Sequence, residues 1–126
     1  MGKISILAAF GIFMASPVIS SPGDMKISVF LAKADALKAK GVMALASSDV
    51  GLLKAEGKAA GESYRARIKS DKVNNLAPHS CPPVKAAVSS DDLLAHFRSY
   101  PAAQRQQISV RTGFAEMMKK RYPCKT

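Results

Sequence analysis

The feature that most restricts how this chain can fold is its pair of cysteines, Cys81 and Cys124. Each adjoins proline, in Cys81-Pro82-Pro83 and in Pro123-Cys124, and neither belongs to a Cys-x-x-Cys pair. In an oxidising compartment the two thiols are expected to pair. A bridge would close a loop of about 44 residues, for which the chain-entropy model gives roughly 4 kcal/mol of stabilisation. We therefore predict a structural disulfide between them.

The compartment is indicated by residues 1–20, which differ in kind from the rest of the chain. Lys3 provides a short positive start, an uncharged apolar stretch follows, and Pro17 breaks it. This layout is typical of a secretory signal peptide, with cleavage predicted between Ser20 and Ser21. An uncleaved membrane anchor is the competing interpretation, but it needs roughly 20 apolar residues, more than this stretch offers.

Two alternatives for the rest of the chain stay open. Cleavage would leave residues 21–126 as one domain in the periplasm or outside the cell, with no integral membrane span. A start at Met25, which Lys26 follows, would instead leave the protein in the cytoplasm. Hydrophobic residues make up 48% of the chain and charged residues 22%, so a wholly disordered or fibrous protein is not expected.

Apolar residues recur every three or four positions from Asp24 to Ala46, which predicts a first helix. Lysines lie mostly on its other side, and Gly41 is expected to break or kink it. The inner stripe is predicted to comprise Ile27, Phe30, Leu31, Ala34, Leu37, Val42 and Leu45. A serine of the run Ser47-Ser48-Asp49 is expected to cap a second helix, which runs from about Val50 to Ser70.

The second helix carries small residues at the centre of its apolar stripe, Gly57, Ala60 and Gly61. Each glycine costs a helix roughly 1 kcal/mol relative to alanine, and a close approach of another backbone is the usual compensation. We predict that the first helix crosses the second at Gly57 and Gly61. The alternative is a ligand that approaches this bare backbone.

Residues 70–88 show no sustained period and contain Pro78, Pro82 and Pro83, so we expect a long loop tied down at Cys81. Long loops in compact domains are often functional. The alternative is a disordered segment that only the disulfide restrains.

Ser89 and Asp92 provide the clearest local signal, because Ser89 as N-cap and Asp92 at position N3 approximate a capping box. The third helix that they begin is expected to stop before Pro101. Ser109 is expected to cap a fourth helix that ends at Pro123. The sequence thus predicts an all-α fold, a small bundle of about four helices in two helical hairpins, with the C-terminal part closed by the disulfide.

Residues suited to catalysis or metal binding are scarce. The general-base candidates are His79 and His96, and no Gly-x-Ser-x-Gly, His-Glu-x-x-His or glycine-rich phosphate loop surrounds them. We interpret His96 as a local helix partner of Asp92, one turn earlier. A four-ligand zinc site would need both histidines and both cysteines, or carboxylates in place of some of them. We predict no catalytic residue, no metal site and no cofactor.

The chain is strongly basic, with 19 Lys and Arg against 9 Asp and Glu and a net charge of +10. This imbalance favours an acidic partner. Aromatic residues are only 6%, too few for a nucleic-acid stacking surface. The positive charge is explained by binding to anionic envelope polymers, by binding to a membrane surface, or by solubility alone. The basic residues of the second helix are interpreted as spread around it rather than forming one stripe: Lys54, Lys58, Arg65, Arg67, Lys69 and Lys72.

The residues between 81 and 124 follow the order of a known family pattern. In chain order they are Cys81-Pro82-Pro83, Ser89, Ser90, Leu93, Leu94, Pro101, Arg105, Val110, Met117 and Tyr122-Pro123-Cys124. This run resembles the small secreted immunity proteins of the Rap/Tai type, with a weaker echo at 61–64. Members of that family are all-helical and disulfide-bonded. They protect bacteria from type VI secretion amidase effectors, which cut peptidoglycan peptides in the periplasm.

The resemblance implies a non-catalytic protein that binds a secreted amidase-type effector directly and occludes it. It supports the disulfide between Cys81 and Cys124 and implies no other site. The alternative is a basic, envelope-associated protein that binds anionic polymers or a membrane surface and has no toxin partner.

Overall fold

A computed structural model describes residues 21–125 of the chain. The predicted signal peptide, 1–20, lies outside them. The helices are α1 (Ile27–Lys40), a 3-10 helix (Gly41–Ala46), α2 (Ser48–Val73), α3 (Ser90–Ser99), α4 (Ala102–Arg105) and α5 (Val110–Arg121). Over residues 21–125 there is no β-strand, only a bridge between Lys26 and Ser109. The predicted all-α bundle is confirmed, with α4 as a single extra turn.

Local signals place the helix ends. Ser47 Oγ accepts a hydrogen bond from the backbone N–H of Asp49 at 3.3 Å, at the start of α2. Ser89 and Asp92 form a reciprocal capping box, with both hydrogen bonds at 3.1 Å. Ser109 caps α5 through Thr112 N, also at 3.1 Å. Such caps stabilise a helix by about 1 kcal/mol each, so these short segments determine where the chain changes direction.

The end of α1 differs from the prediction. Gly41 does end the α-helix, with a φ of +58° that glycine adopts without a steric cost. Val42 and Leu45, predicted as inner residues of the first helix, are exposed instead. That part of the prediction is wrong because the chain turns at Gly41 and continues as a 3-10 helix, which rotates the apolar side chains away from the core.

The core draws on all four long helices. Its buried residues are Ile27, Phe30, Leu31, Ala60, Tyr64, Leu93, Phe97, Val110, Met117 and Met118. Phe97 is fully buried, and its ring meets that of Phe30 edge to face at 5.4 Å. The most extensive helix contact is between α2 and α5. Over residues 21–125, the two hairpins therefore share a single core.

The close approach of helices occurs at Gly113 of α5, not at Gly57 and Gly61. A Cβ on Gly113 would lie 2.6 Å from Ile27 Cδ1 and 2.9 Å from Phe97 Cε1. A Cβ on Gly57 would meet no atom within 4 Å, and one on Gly61 would meet only the Phe114 ring of α5, at 3.9 Å. The predicted crossing of the first helix at Gly57 and Gly61 is wrong, because α1 packs elsewhere. Gly57 meets open space, and the buried Gly61 is covered by Phe114 of α5.

The residues just before α1 are bound firmly to the bundle. The buried Glu56 carboxylate accepts hydrogen bonds from Gly23 N at 2.6 Å and Met25 N at 3.3 Å. Arg111 N donates to Gly23 O at 2.9 Å, and Val110 N donates to Met25 O at 2.8 Å. A chain that began at Met25 would lose the Gly23 contacts and leave the buried Glu56 with fewer donors, which is costly for a carboxylate.

The disulfide between Cys81 and Cys124 is present, as predicted, with a Cα–Cα distance of 4.9 Å. Next to it, Cys81 N donates to Tyr122 O at 2.8 Å, and the buried Ser80 hydroxyl is hydrogen-bonded to Tyr64. The first two contacts join the segment between α2 and α3 to the end of α5, and the third joins it to α2. Among residues 21–125, no helix has both the length and the apolar character needed to cross a membrane.

We expect reduction of the disulfide to lower the free energy of unfolding by about 4 kcal/mol, because the unfolded chain regains the entropy of an open loop. Urea denaturation with and without a reductant measures this change. The Cys81→Ala/Cys124→Ala variant serves as a control, since it should match the reduced protein and be insensitive to reductant. Equal stabilities of the oxidised and reduced proteins would contradict this account.

The two kinds of glycine environment predict opposite effects of alanine. Gly113→Ala should lower the free energy of unfolding by about 1–3 kcal/mol, because its Cβ would overlap Ile27 and Phe97. Gly57→Ala should raise it by up to about 1 kcal/mol through helix propensity alone. The urea midpoints of the two variants test these opposite changes. Destabilisation by Gly57→Ala would contradict the open space around the Gly57 Cβ position.

Candidate binding groove

Two adjoining pockets lie along α2, with volumes of about 550 and 320 Å³. Both are lined by Gly57, Lys58, Val88 and Phe114, so they meet at the middle of the helix. The larger pocket lies between α2, α5 and residues 82–88, and the smaller one extends toward α1 and α3. We call the two pockets together the groove. Its size is that of sites which bind small molecules or segments of a partner.

The floor of the groove includes the bare backbone of α2. Gly57 lines both pockets and Gly61 lines the larger one, beside the rings of Tyr64 and Phe114. These rings meet edge to face, with centroids 5.8 Å apart. Gly61 is buried under Phe114, but no Cβ projects from Gly57 and its surroundings are open, so a ligand can approach the helix backbone there. The sequence left open a helix crossing or a ligand at this part of α2. The open space at Gly57 fits a ligand.

One wall of the groove is formed by the segment that follows Cys81. Its lining residues are Pro82, Pro83, Val84, Ala86 and Val88. The prolines limit backbone freedom, and the disulfide anchors the segment to the end of α5. The predicted loop therefore has a defined position and supplies an apolar wall. At the other end of the groove, Phe30, Leu53, Leu93 and Leu94 line the smaller pocket.

Basic residues follow one edge of the groove: Lys54, Lys58, Arg65, Lys69 and Lys72. They are three, four or seven residues apart along α2, the spacing of neighbours on one helix face. The interpretation that the basic residues of this helix form no stripe is wrong; of the six, Arg67 alone lines a different pocket. The spacing of these five residues is present in the sequence, but Arg67 does not follow it, and including Arg67 made the six residues look scattered.

No acidic residue lines the groove in the described part of the chain. Glu62 pairs with Lys58 at 3.7 Å, but both side chains are largely exposed and such a pair contributes little. The groove therefore combines an apolar floor and wall with a cationic edge. This combination suits a ligand that is apolar on one side and anionic on the other.

A smaller pocket of about 250 Å³ lies on another face of α2 and includes Arg67, His79, Arg111 and Glu116. Burial is the main cause that lowers the pKa of His79, and the positive charges of Arg67 and Lys119 lower it further. Asp71 and Glu116 oppose this effect. The charges around this pocket are of both signs and give no single ligand chemistry.

His96 does not pair with Asp92, contrary to the prediction. Its Nε2 lies 3.0 Å from Tyr100 Oη, and the Tyr100 hydroxyl donates to Glu116. Asp92 is engaged by Ser89 N and by Arg121 at 3.0 Å, and these hydrogen bonds lower the pKa of its carboxyl. Burial lowers the pKa of His96, with a smaller contribution from Lys120. Within residues 21–125, no three metal-ligating side chains come together.

The two histidines predict a pH dependence of stability. Both have folded-state pKa values below the ordinary 6.5, so the unfolded chain binds protons first as the pH falls. The free energy of unfolding should therefore decrease from pH 7 to pH 5, whereas Asp92, whose pKa is depressed below 3.8, contributes only at lower pH. Urea denaturation at each pH measures the free energy of unfolding. In a His79→Asn/His96→Asn variant, this free energy should vary less between pH 7 and pH 5. A wild-type profile that is already flat would contradict this origin.

No family model, curated protein or solved structure matches this chain.

Proposed function

We propose that this chain is an exported, non-catalytic binding protein whose groove receives a segment of a partner protein. The observation that carries the proposal is an apolar groove with five basic residues on one edge. A matching segment has apolar side chains that cover Gly57 and Phe114, and aspartates or glutamates that face the lysines. Interfaces of this kind combine buried apolar contacts with charge complementarity.

The length of the cationic edge sets the length of the occupant. From Lys54 to Lys72 the helix rises by about 27 Å. That distance accommodates about five turns of a partner helix, or about eight residues of an extended segment. A rigid groove favours tight binding, because the disulfide and the capping box hold its walls in place before the partner arrives.

The class of partner is proposed from the resemblance of residues 81–124 to Rap/Tai immunity proteins. On that basis the partner is a secreted amidase-type effector, and binding prevents peptidoglycan peptides from entering its cleft. This role needs no chemistry from the present chain. Export through the signal peptide 1–20 would bring the protein to the periplasm, where such effectors act and where Cys81 and Cys124 can be oxidised. The lysines of the groove would increase the rate of encounter with an acidic surface.

The protein from Ser21 onward, oxidised, tests this proposal as bait in a periplasmic extract at moderate and high salt. We expect one hydrolase to be retained at 1:1 stoichiometry. The purified hydrolase is then titrated with the bait while its release of peptidoglycan fragments is measured. Gly57→Leu should weaken inhibition about tenfold or more, because the leucine side chain fills the floor of the groove.

Gly51→Leu is the matched control, because Gly51 lies on the same helix, has no atom within 4 Å of its Cβ position and does not line the groove. It should inhibit like the wild type. Equal loss of inhibition in both variants, or in neither, would contradict the groove as the binding site. If no hydrolase is bound at all, the proposed function fails.

The second candidate is an envelope-associated protein that binds anionic polymers. The cationic edge of α2 favours it, since a row of lysines also suits a polyanion. Such binding would involve many ligands and weaken steeply with salt, and it would survive Gly57→Leu. Retention of heterogeneous polyanions that high salt releases would favour this candidate over the immunity role.

A further inference from the structure

The end of the α1–α2 hairpin carries an unusual concentration of exposed apolar side chains. Val42, Met43 and Leu45 in the 3-10 helix have exposed fractions of 84%, 70% and 85%. The segment 41–46 reads Gly-Val-Met-Ala-Leu-Ala and contains no polar side chain. Single exposed apolar residues are common in proteins, but a contiguous group marks a surface that contacts something apolar. We call residues 38–46 the hairpin tip.

Two lysines lie beside these apolar residues. Lys38 and Lys40 are exposed in the last turn of α1, and Gly41 N donates to Lys38 O. Neither lysine forms an ion pair with any residue of 21–125. The nearest acids in the sequence are engaged elsewhere, Asp35 by Arg98 at 2.7 Å and Asp49 by Lys33 at 3.1 Å. The tip is therefore apolar at its end and positively charged at its base.

We propose that the hairpin tip inserts into the surface of an anionic lipid bilayer. Val42, Met43 and Leu45 enter the boundary between headgroups and acyl chains, while Lys38 and Lys40 contact the negatively charged headgroups. Apolar insertion and electrostatic attraction together are the recognised basis of interfacial binding. Each lysine near an anionic surface adds to the affinity, and the effect decays within a Debye length.

The chemistry of the tip favours lipid over a protein surface. The segment 41–46 has no aromatic residue, no arginine and no directional hydrogen-bonding side chain, which are the groups that dominate protein interfaces. A bilayer needs none of these, only apolar side chains with satisfied backbone groups. The 3-10 helix bonds part of its own backbone, and Ser47 N closes it by donating to Ala44 O at 2.9 Å.

This surface is separate from the groove. No residue of the hairpin tip lines either pocket of the groove. Changes at the tip should therefore leave inhibition of a hydrolase unaltered.

Co-sedimentation of the oxidised protein from Ser21 onward with vesicles tests the inference. We expect binding to vesicles of phosphatidylglycerol and phosphatidylcholine, and little binding to phosphatidylcholine alone. Val42→Ser/Leu45→Ser should lower the partition coefficient by at least about tenfold. Lys38→Gln/Lys40→Gln should lower it roughly fivefold for each lysine.

Matched controls lie elsewhere on the surface. Val73→Ser/Leu76→Ser changes another exposed valine and leucine that do not line the groove, and Lys119→Gln/Lys120→Gln removes the same charge from the end of α5. Both should retain vesicle binding close to that of the wild type. If they lose as much binding as the tip variants, the attraction is a general effect of charge and the tip is not the site.

Insertion can also be observed directly, because the chain contains no tryptophan. Met43→Trp should show a blue shift with anionic vesicles and quenching by brominated acyl chains. An unshifted, unquenched tryptophan would overturn the inference. So would self-association of the wild type, measured by sedimentation, that the tip variants abolish without any vesicle binding, since a second copy would then be the occupant.

Discussion

The connection between the end of α5 and the segment after α2 is the constraint on which the shape of the binding surface depends. Three contacts hold this segment at Ser80 and Cys81. They are the Cys81–Cys124 disulfide, the hydrogen bond from Cys81 N to Tyr122 O, and the hydrogen bond between Ser80 and Tyr64 of α2. Without them, the long proline-containing segment would have no regular hydrogen bonding to hold it. With them, it becomes a wall that faces α2, and the groove exists.

Two glycines have opposite roles, one in the packing of the core and the other in the exposed groove. Gly113 allows α5 to approach Ile27 and Phe97, because a Cβ at this position would overlap both side chains. Gly57 faces open space in the groove, and it costs α2 helix propensity with no packing gain. A residue that costs stability without a contact in return is typical of a functional surface. The exposed aliphatic residues of the hairpin tip likewise cost stability, because their side chains would be more stable in a core.

Several features could be predicted from the sequence because they depend on neighbouring residues. The capping box at Ser89 and Asp92, the cap at Ser109 and the end of α1 at Gly41 are all local signals. Other predictions failed where one side chain has several possible partners, near and distant in the chain. His96 has Tyr100 as its partner, because Ser89 and Arg121 already occupy Asp92. The helical spacing of the five basic residues along α2 is present in the sequence, but their position at the edge of a groove depends on the tertiary structure.

The sequence alone determined the helical class, the main helix ends and the disulfide, because periodicity, caps and cysteine number act locally or leave few choices. The tertiary structure decided which glycine lies in the core, which lysines share an edge and which apolar residues stay in water. These outcomes depend on how α1, α2 and α5 pack, and packing is set by the shapes of side chains that are far apart in the chain. The groove and the hairpin tip are both products of that packing.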